Sequence, residues 1–372
     1  MIKRLMNIMF LSGLILSNSV FSKTIDPLPS WVENPVKTKI IEFVNSVTDK
    51  SSKYYVAPEN RIATFDNDGT LWSEKPMPFQ LLFTIDKIKE GQIENPDWKT
   101  KKPYSYVINN ELKKLTRSDL SKILNETHTG MTVEEFDLQV KRWIRKAKHP
   151  KTNLPYTKMV YQPMLELLRY LEDNEFKNFI VSGGGNAFMR AWAPEVYNIP
   201  SERIIGSQFN TKFIGSELYR SPNILIYDDK EEKPQQIFQQ IGKRPIASFG
   251  NSDGDLQMLK WTASGSGLRL AMYIHHTDAR REWKYDRNDN LAKLDKGLDV
   301  ALDKDWLIVD MKNDWRSIYE KNDTCMSYHF GKCRLDQFCI KRLFRFDRYK
   351  YRRKLTLKVE EGAMKERRYN IE

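Results

Sequence analysis

The sequence predicts an α/β chain: a doubly wound, mostly parallel sheet with a helical insertion. Three observations carry that reading. Between residues 161 and 274 short apolar runs alternate with amphipathic helical stretches, the pattern that places helices on both faces of a parallel sheet. Several of these runs end in Gly, Ser, Asp or Lys clusters, and the carboxyl ends of such strands are where ligands sit. Residues 75–155, soon after the first strand, carry helix signals. At 372 residues and 40% hydrophobic content, the chain can build a substantial core.

Taken in order, the chain opens with MIKRLMNIMFLSGLILSNSVFSK. Lys3 and Arg4 precede an apolar stretch, and Val20-Phe21-Ser22 offers a small-x-small cleavage site, so residues 1–22 read as a signal peptide cut after Ser22. An exported, periplasmic protein is expected. The apolar run falls short of the ~20 residues that span a bilayer. Residues 38–47 (TKIIEFVNSV) form a helix by periodicity, and RIATF at 61–65 is the opening strand. From Pro78, Leu81, Leu82, Ile85 and Ile88 recur at helical steps until Gly91. Thr132 and Glu135 make a capping box for a helix with Val133, Phe136, Val140, Trp143 and Ile144 on one face. Then come helix 161–174, strand 177–182, a helix from about 186, strands 203–206 and 223–228, helix 234–241, strand 245–249, helix 254–261 and strand 268–274. The division is therefore a core of 23–74 and 156–320, a helical cap at 75–155, and a tail at 321–372.

Charge and cysteine mark off the tail. It holds 15 Lys and Arg against 7 Asp and Glu, so it supplies most of the chain's net +12. Cys325, Cys333 and Cys339 all lie in it, which leaves the main fold without a disulfide or a thiolate metal site. The run KRLFRFDRYKYRRKLTLK reads first as a solvated tail, though its interleaved basic and aromatic residues also suit an anionic surface. No nucleic acid is required.

The chemistry begins at FDNDGT, residues 65–70, where Asp66 and Asp68 crowd the mouth of a strand. Two carboxylates there need a cation or a reacting phosphate to offset them. Three later strand ends bring IVSGGG (180–185), EEKP (231–234) and GNSDGD (250–255). In that order the four segments resemble the motifs of the haloacid dehalogenase-like (HAD) superfamily, and its phosphoserine phosphatase-like branch in particular, over about residues 30–320.

The resemblance implies a Rossmannoid core with a helical cap, and a Mg2+-dependent phosphatase that acts on small phosphomonoesters, such as a phosphoserine-like substrate, through an aspartyl-phosphate. Asp66 would be the nucleophile and Asp68 the acid and base, with Asn67 as spacer. Ser182 and the backbone N–H groups of Gly183 and Gly184 would cradle the phosphoryl oxygens. Lys233 would offset negative charge, preferred over Lys230 because Pro234 sets a helix start beside it. The Mg2+ ligands would be Asp66, the carbonyl of Asp68, and Asn251 or Asp255. Where the family motif often reads Gly-Asp, this chain has Gly250-Asn251, so Asn251 offers an oxygen without charge.

Glu74 reads as a substrate contact or as a hinge salt bridge. His275 and His276 are adjacent on a strand, point to opposite faces, and suit structural or rim roles. DARREWKYDR (278–287) reads as a solvated, salt-bridged segment in which Arg280 or Arg281 could meet an anion. Two alternatives stand beside the phosphatase: a non-catalytic binding protein of the same fold, and a phosphotransferase.

Overall fold

The computed structural model describes residues 26–320. Residues 1–22, read above as a signal peptide, and the Cys-containing tail lie outside the described residues. The elements in chain order are α1 Pro35–Thr48, β1 Ile62–Phe65, α2 Phe79–Gly91, α3 Tyr104–Ile108, α4 Arg117–His128, α5 Val133–Lys146, α6 Gln162–Asp173, β2 Lys177–Gly185, α7 Asn186–Arg190 and α8 Ala193–Tyr197. They continue with β3 Ile204–Ile214, β4 Glu217–Ile226, α9 Glu232–Ile241, β5 Ala247–Gly250, α10 Leu256–Ala263, β6 Leu270–Thr277, β7 Lys284–Tyr285, α11 Lys296–Asp303, β8 Leu307–Asp310 and α12 Met311–Asp314.

One eight-stranded sheet runs in the order β4-β3-β2-β1-β5-β6-β7, with β8 also on β6. The pairs β1–β2, β1–β5, β2–β3, β5–β6 and β6–β8 are parallel. Both faces are covered, and successive residues show it. Ile180 and Ile204 enter one apolar cluster, while Val181 and Ile205 enter the other. Period-two alternation with both sides apolar is what a parallel sheet between helix layers requires. β1 lies at the centre, with all four residues buried and Phe65 stacked on Phe249 of β5 at 4.3 Å.

The insertion between β1 and α6 is helical. Its capping box forms as the sequence predicts, Thr132 accepting from the Glu135 amide and Glu135 returning to the Thr132 amide. A small separate core of Ile85, Ile88, Trp98, Tyr104, Val107 and Ile123 holds α2, α3 and α4 together. Phe83 of α2 instead packs into the main core against Phe136, Trp143 and Phe188.

Two features differ from the sequence expectation. Residues 204–226 are not two short strands but one hairpin, β3–β4, whose far half passes the carboxyl edge of the sheet and turns at Gly215, φ +64°. There the apolar pattern fails, because Phe213 and Ile214 at the tip are exposed. The hairpin leans on the insertion through Gly130 N–H to the Arg220 carbonyl (2.9 Å) and Arg220 N–H to the Met131 carbonyl (2.8 Å).

The segment 278–287 is salt-bridged as expected, Arg281 with Asp278 and Arg287 with Asp295 and Asp299, but it is not simply a solvated run. Asp278 and Glu282 are buried, and Arg281 bonds Asp278 and the carbonyls of Met311, Lys312, Trp315 and Arg316. Its charges are spent on tying β6 to the chain's last described turns, so Arg281 is not an anion contact. Arg280 is exposed. No helix among the described residues is long and apolar enough to cross a membrane.

Candidate active site

Three of the motif segments leave the carboxyl edge of the sheet directly, because β1, β2 and β5 are adjacent and parallel. The fourth arrives from the hairpin: β4 runs antiparallel and brings Asp228 and then Lys233 of α9 back to the same edge. The Lys233 ammonium lies 2.8 Å from Asp66 Oδ1, 2.6 Å from Asp255 Oδ1 and 3.0 Å from the Val181 carbonyl oxygen. All three of its donors are used, and it is 2% exposed. Burial works against its charge, yet Asp255, Asp66 and Asp228 together hold it protonated. Lys230, the competing candidate, is exposed.

Asp66 is buried, and its carboxyl is pushed well above the usual range by burial and by Asp255, against the pull of Lys233. Asp68 is half-buried, and its carboxyl is also raised by desolvation, partly opposed by the Trp72 indole, which donates to Oδ1 at 2.6 Å. Trp72 is held there by stacking on Trp192 at 4.0 Å. The Asn67 side chain turns to Tyr197 of α8, whose hydroxyl donates to its Oδ1 at 3.1 Å, while its amide nitrogen is 3.4 Å from Asp68.

On β2 the Ser182 hydroxyl oxygen accepts from the Gly184 N–H at 3.1 Å. The Gly184 amide is thus turned back on Ser182 and not open to a ligand, contrary to the expectation of a wide glycine cradle. The Gly185 N–H donates to Gln80 Oε1 of α2 at 2.8 Å, and the Gln80 amide nitrogen reaches His128 at 3.0 Å. A Cβ on Gly184 would lie 3.6 Å from Asp68 Oδ2 and 3.4 Å from Ser182 Oγ, so cradle and acid are adjacent. A Cβ on Gly183 would meet the Asp228 carbonyl oxygen at 3.9 Å, an ordinary contact, and the Gly183 carbonyl is bonded by Ser207 at 2.7 Å.

Asp255 has both oxygens engaged: Oδ1 with Lys233, Oδ2 with the N–H groups of Asn251 (3.0 Å) and Ser252 (3.1 Å). It braces the loop and the lysine. Asn251 accepts from Thr70 at 3.3 Å through Oδ1 and donates to Glu74 at 2.7 Å through Nδ2. The Tyr285 hydroxyl also donates to Glu74, at 2.7 Å. Burial raises the Glu74 carboxyl to about 7. His276 lies between the Gly69 carbonyl (2.8 Å) and Glu282 (3.3 Å), while His275 faces Asp286, so the two rings do part.

Sequence reasoning missed Asp228, Trp72, Tyr285 and Gln80. Asp228 is fully buried, neither carboxylate oxygen has a hydrogen-bond partner, and burial lifts it to about 7. Five acids, Asp66, Asp68, Glu74, Asp228 and Asp255, thus gather at one edge, and Lys233 is the one basic side chain hydrogen-bonded to any of them among the described residues. No group of three His, Cys, Asp or Glu side chains suited to a metal occurs among the described residues. The donors on offer are carboxylate, main-chain and amide oxygens, a hard set that fits Mg2+ and not zinc.

No curated protein matches the chain. Among solved structures, a functionally unknown protein from Anaerococcus prevotii DSM 20548 is 18% identical, with a TM-score of 0.44 over 65% of this chain and 86% of that one. A protein of unknown function from Bordetella pertussis Tohama I is 12% identical, with a TM-score of 0.44 over 68% and 99%. A HAD family hydrolase from Salmonella enterica serovar Typhi is 16% identical, with a TM-score of 0.33 over 58% and 62%. The family model of haloacid dehalogenase-like hydrolases matches residues 63–260, more than half of the chain and all four motif segments. The chain belongs to the haloacid dehalogenase-like hydrolases.

Proposed function

We propose that the protein is a Mg2+-dependent phosphatase of small phosphomonoesters that works through an aspartyl-phosphate on Asp66. The observation that carries this is the pairing of a buried Asp66, oriented by Lys233, with a half-buried Asp68 two residues on. With Oδ1 of Asp66 held at 2.8 Å by Lys233, Oδ2 attacks phosphorus and the bond from phosphorus to the ester oxygen breaks. The leaving alkoxide takes its proton from Asp68, whose carboxyl burial raises above its ordinary value, the direction a proton donor needs. Asp68, now a carboxylate, removes a proton from water, which attacks the acyl phosphate, releases inorganic phosphate and restores Asp66.

Ser182 accepts from Gly184, so its own proton is free to point at a phosphoryl oxygen. Lys233 has no spare donor and acts by charge. Asp66, the carbonyl of Asp68 and the Asn251 amide oxygen would hold Mg2+, which when bound neutralises phosphate charge. Asp255 is left to orient Lys233. Gln80, which bonds the Gly185 N–H from the insertion side, would touch the substrate's leaving group, with the buried His128 bracing it from behind. The basic and apolar start of the sequence supports export.

The test is turnover of 4-nitrophenyl phosphate and a panel of phosphorylated metabolites, each with Mg2+ and with EDTA. Activity that vanishes in Asp66→Asn and in EDTA supports the proposal. A folded protein that turns over none of the panel would overturn it and favour a binding role.

A further inference from the structure

We infer that Glu74 is a positioning residue of the Mg2+ site: held by Tyr285, its carboxyl locks the Asn251 amide with oxygen toward the catalytic loop. The inference rests on the metal reading above. Its basis is the buried contact of Asn251 Nδ2 with Glu74 Oε1 at 2.7 Å, between residues 177 positions apart in the chain.

Glu74 Oε1 already accepts from the Tyr285 hydroxyl, so the end of the amide that faces it is the NH2. Oδ1 is thereby turned to the Thr70 hydroxyl, on the loop that follows Asp66 and Asp68. Without that partner an amide can rotate, and its two ends differ fully as ligands. The same Oε1 accepts from Tyr285, whose ring stacks on His276 at 4.2 Å, and His276 bonds the Gly69 carbonyl at 2.8 Å. The frame closes on Gly69, φ +76°, where a Cβ would lie 2.1 Å from Asn251 Nδ2 and 2.2 Å from Glu74 Oε1. Glycine at 69 lets the amide and the carboxylate meet directly over the catalytic loop.

The other readings of Glu74 fit less well. The side chain is 6% exposed and its Oε1 already serves two donors, which leaves little for a substrate. Among the described residues no lysine or arginine within hydrogen-bond reach makes it a hinge salt bridge, since Lys75 lies over the Tyr285 ring and pairs with Asp289. Asp255 cannot replace it, because both its oxygens are spent.

The experiment titrates MgCl2 into full-length protein by calorimetry, with the Mg2+-induced shift in Tm as a second readout, so that turnover is not involved. Loss of a group that orients a metal ligand costs ~10–100-fold in affinity, and Glu74→Gln is expected in that range. Tyr285→Phe, which keeps the ring, should weaken binding in the same direction by less. Asn251→Asp alone sets two carboxylates at contact distance and lowers Tm in EDTA. The exchanged pair Glu74→Gln with Asn251→Asp restores donor against acceptor and should bring Mg2+ affinity back to within about threefold of the unaltered protein.

Glu74→Gln binding Mg2+ within about twofold of the unaltered protein, or a double variant no better than Glu74→Gln, would overturn the inference; a raised KM with unchanged Mg2+ affinity would instead make Glu74 a substrate contact. If the unaltered protein gives no Mg2+ binding at all, the metal reading itself falls, a distinct outcome.

Discussion

Replacing Lys233 with Met tests the charge balance of the site most directly. Met keeps an unbranched apolar stem and carries no charge. The wild-type ammonium bonds Asp66, Asp255 and the Val181 carbonyl from a position 2% exposed. Removing it leaves two buried carboxylates facing each other, and breaking a buried pair from one side costs ~3–5 kcal/mol. For a domain of this size about 1 kcal/mol moves Tm by roughly 2 °C, so a fall of about 6–10 °C is expected in EDTA near neutral pH.

The sign of the pH dependence follows from linkage. Burial and Asp255 already hold the Asp66 carboxyl well above its ordinary value, and loss of Lys233 raises it further. A carboxyl whose folded pKa exceeds its unfolded one binds more protons when folded, so stability declines as pH rises between the two values. The deficit of Lys233→Met should therefore be larger at about pH 8 than at about pH 5. Thermal unfolding of metal-free protein, followed by circular dichroism, measures both. The exposed Lys230→Met serves as control and should change stability by less than ~0.5 kcal/mol. A Lys233→Met deficit below ~1 kcal/mol, or one equal at the two pH values, would refute the reasoning.

Asp68→Asn should lower kcat/KM, which reports the phosphorylation step, far more for an alkyl phosphate than for 4-nitrophenyl phosphate, whose leaving group needs no proton; equal losses in kcat/KM would remove Asp68 from the role of acid. Gly69→Ala must adopt φ +76° and push its Cβ into Asn251 and Glu74, which predicts a loss of ~2–5 kcal/mol in chemical denaturation. Asp228 is lifted to about 7 from 3.8 by burial, so its folded form costs stability progressively as pH rises between those values. Asp228→Asn should accordingly raise Tm at about pH 8 and do so less at about pH 5; identical changes at both would show that the carboxyl does not titrate there.

The legible part of the site was local in sequence. Asp66 and Asp68 are spaced by one residue, Ser182 precedes three glycines, and Lys233 precedes Pro234, so each could be read as a strand end with a chemical purpose. The capping box at Thr132 was legible for the same reason, since three residues define it. What escaped were contacts made across the chain. Glu74 meets Asn251 and Tyr285 from 177 and 211 positions away, and no period or spacing links them. The hairpin escaped because its outer half faces solvent and carries no buried alternation. Residues 278–287 were misread because charge density normally signals solvation, whereas Arg281 there spends its donors on main-chain carbonyls.

The same contacts explain how the fold tolerates so much acid at one edge. Carboxylates buried without partners would each cost several kcal/mol, a sizeable part of the ~5–15 kcal/mol that holds a domain together. Three devices lower that cost here. Asp66 and Asp255 share one lysine, Asp68 is half-exposed and braced by an indole, and Asp228 and Glu74, raised to about 7, carry only part of a charge near neutrality. An aspartate at position 251 would add a sixth acid at contact distance from Glu74. The asparagine therefore costs the site a ligand charge but spares the fold a repulsion, while Glu74 holds its amide in place. On this argument Asn251 and Glu74 are a single unit, to be exchanged together or not at all.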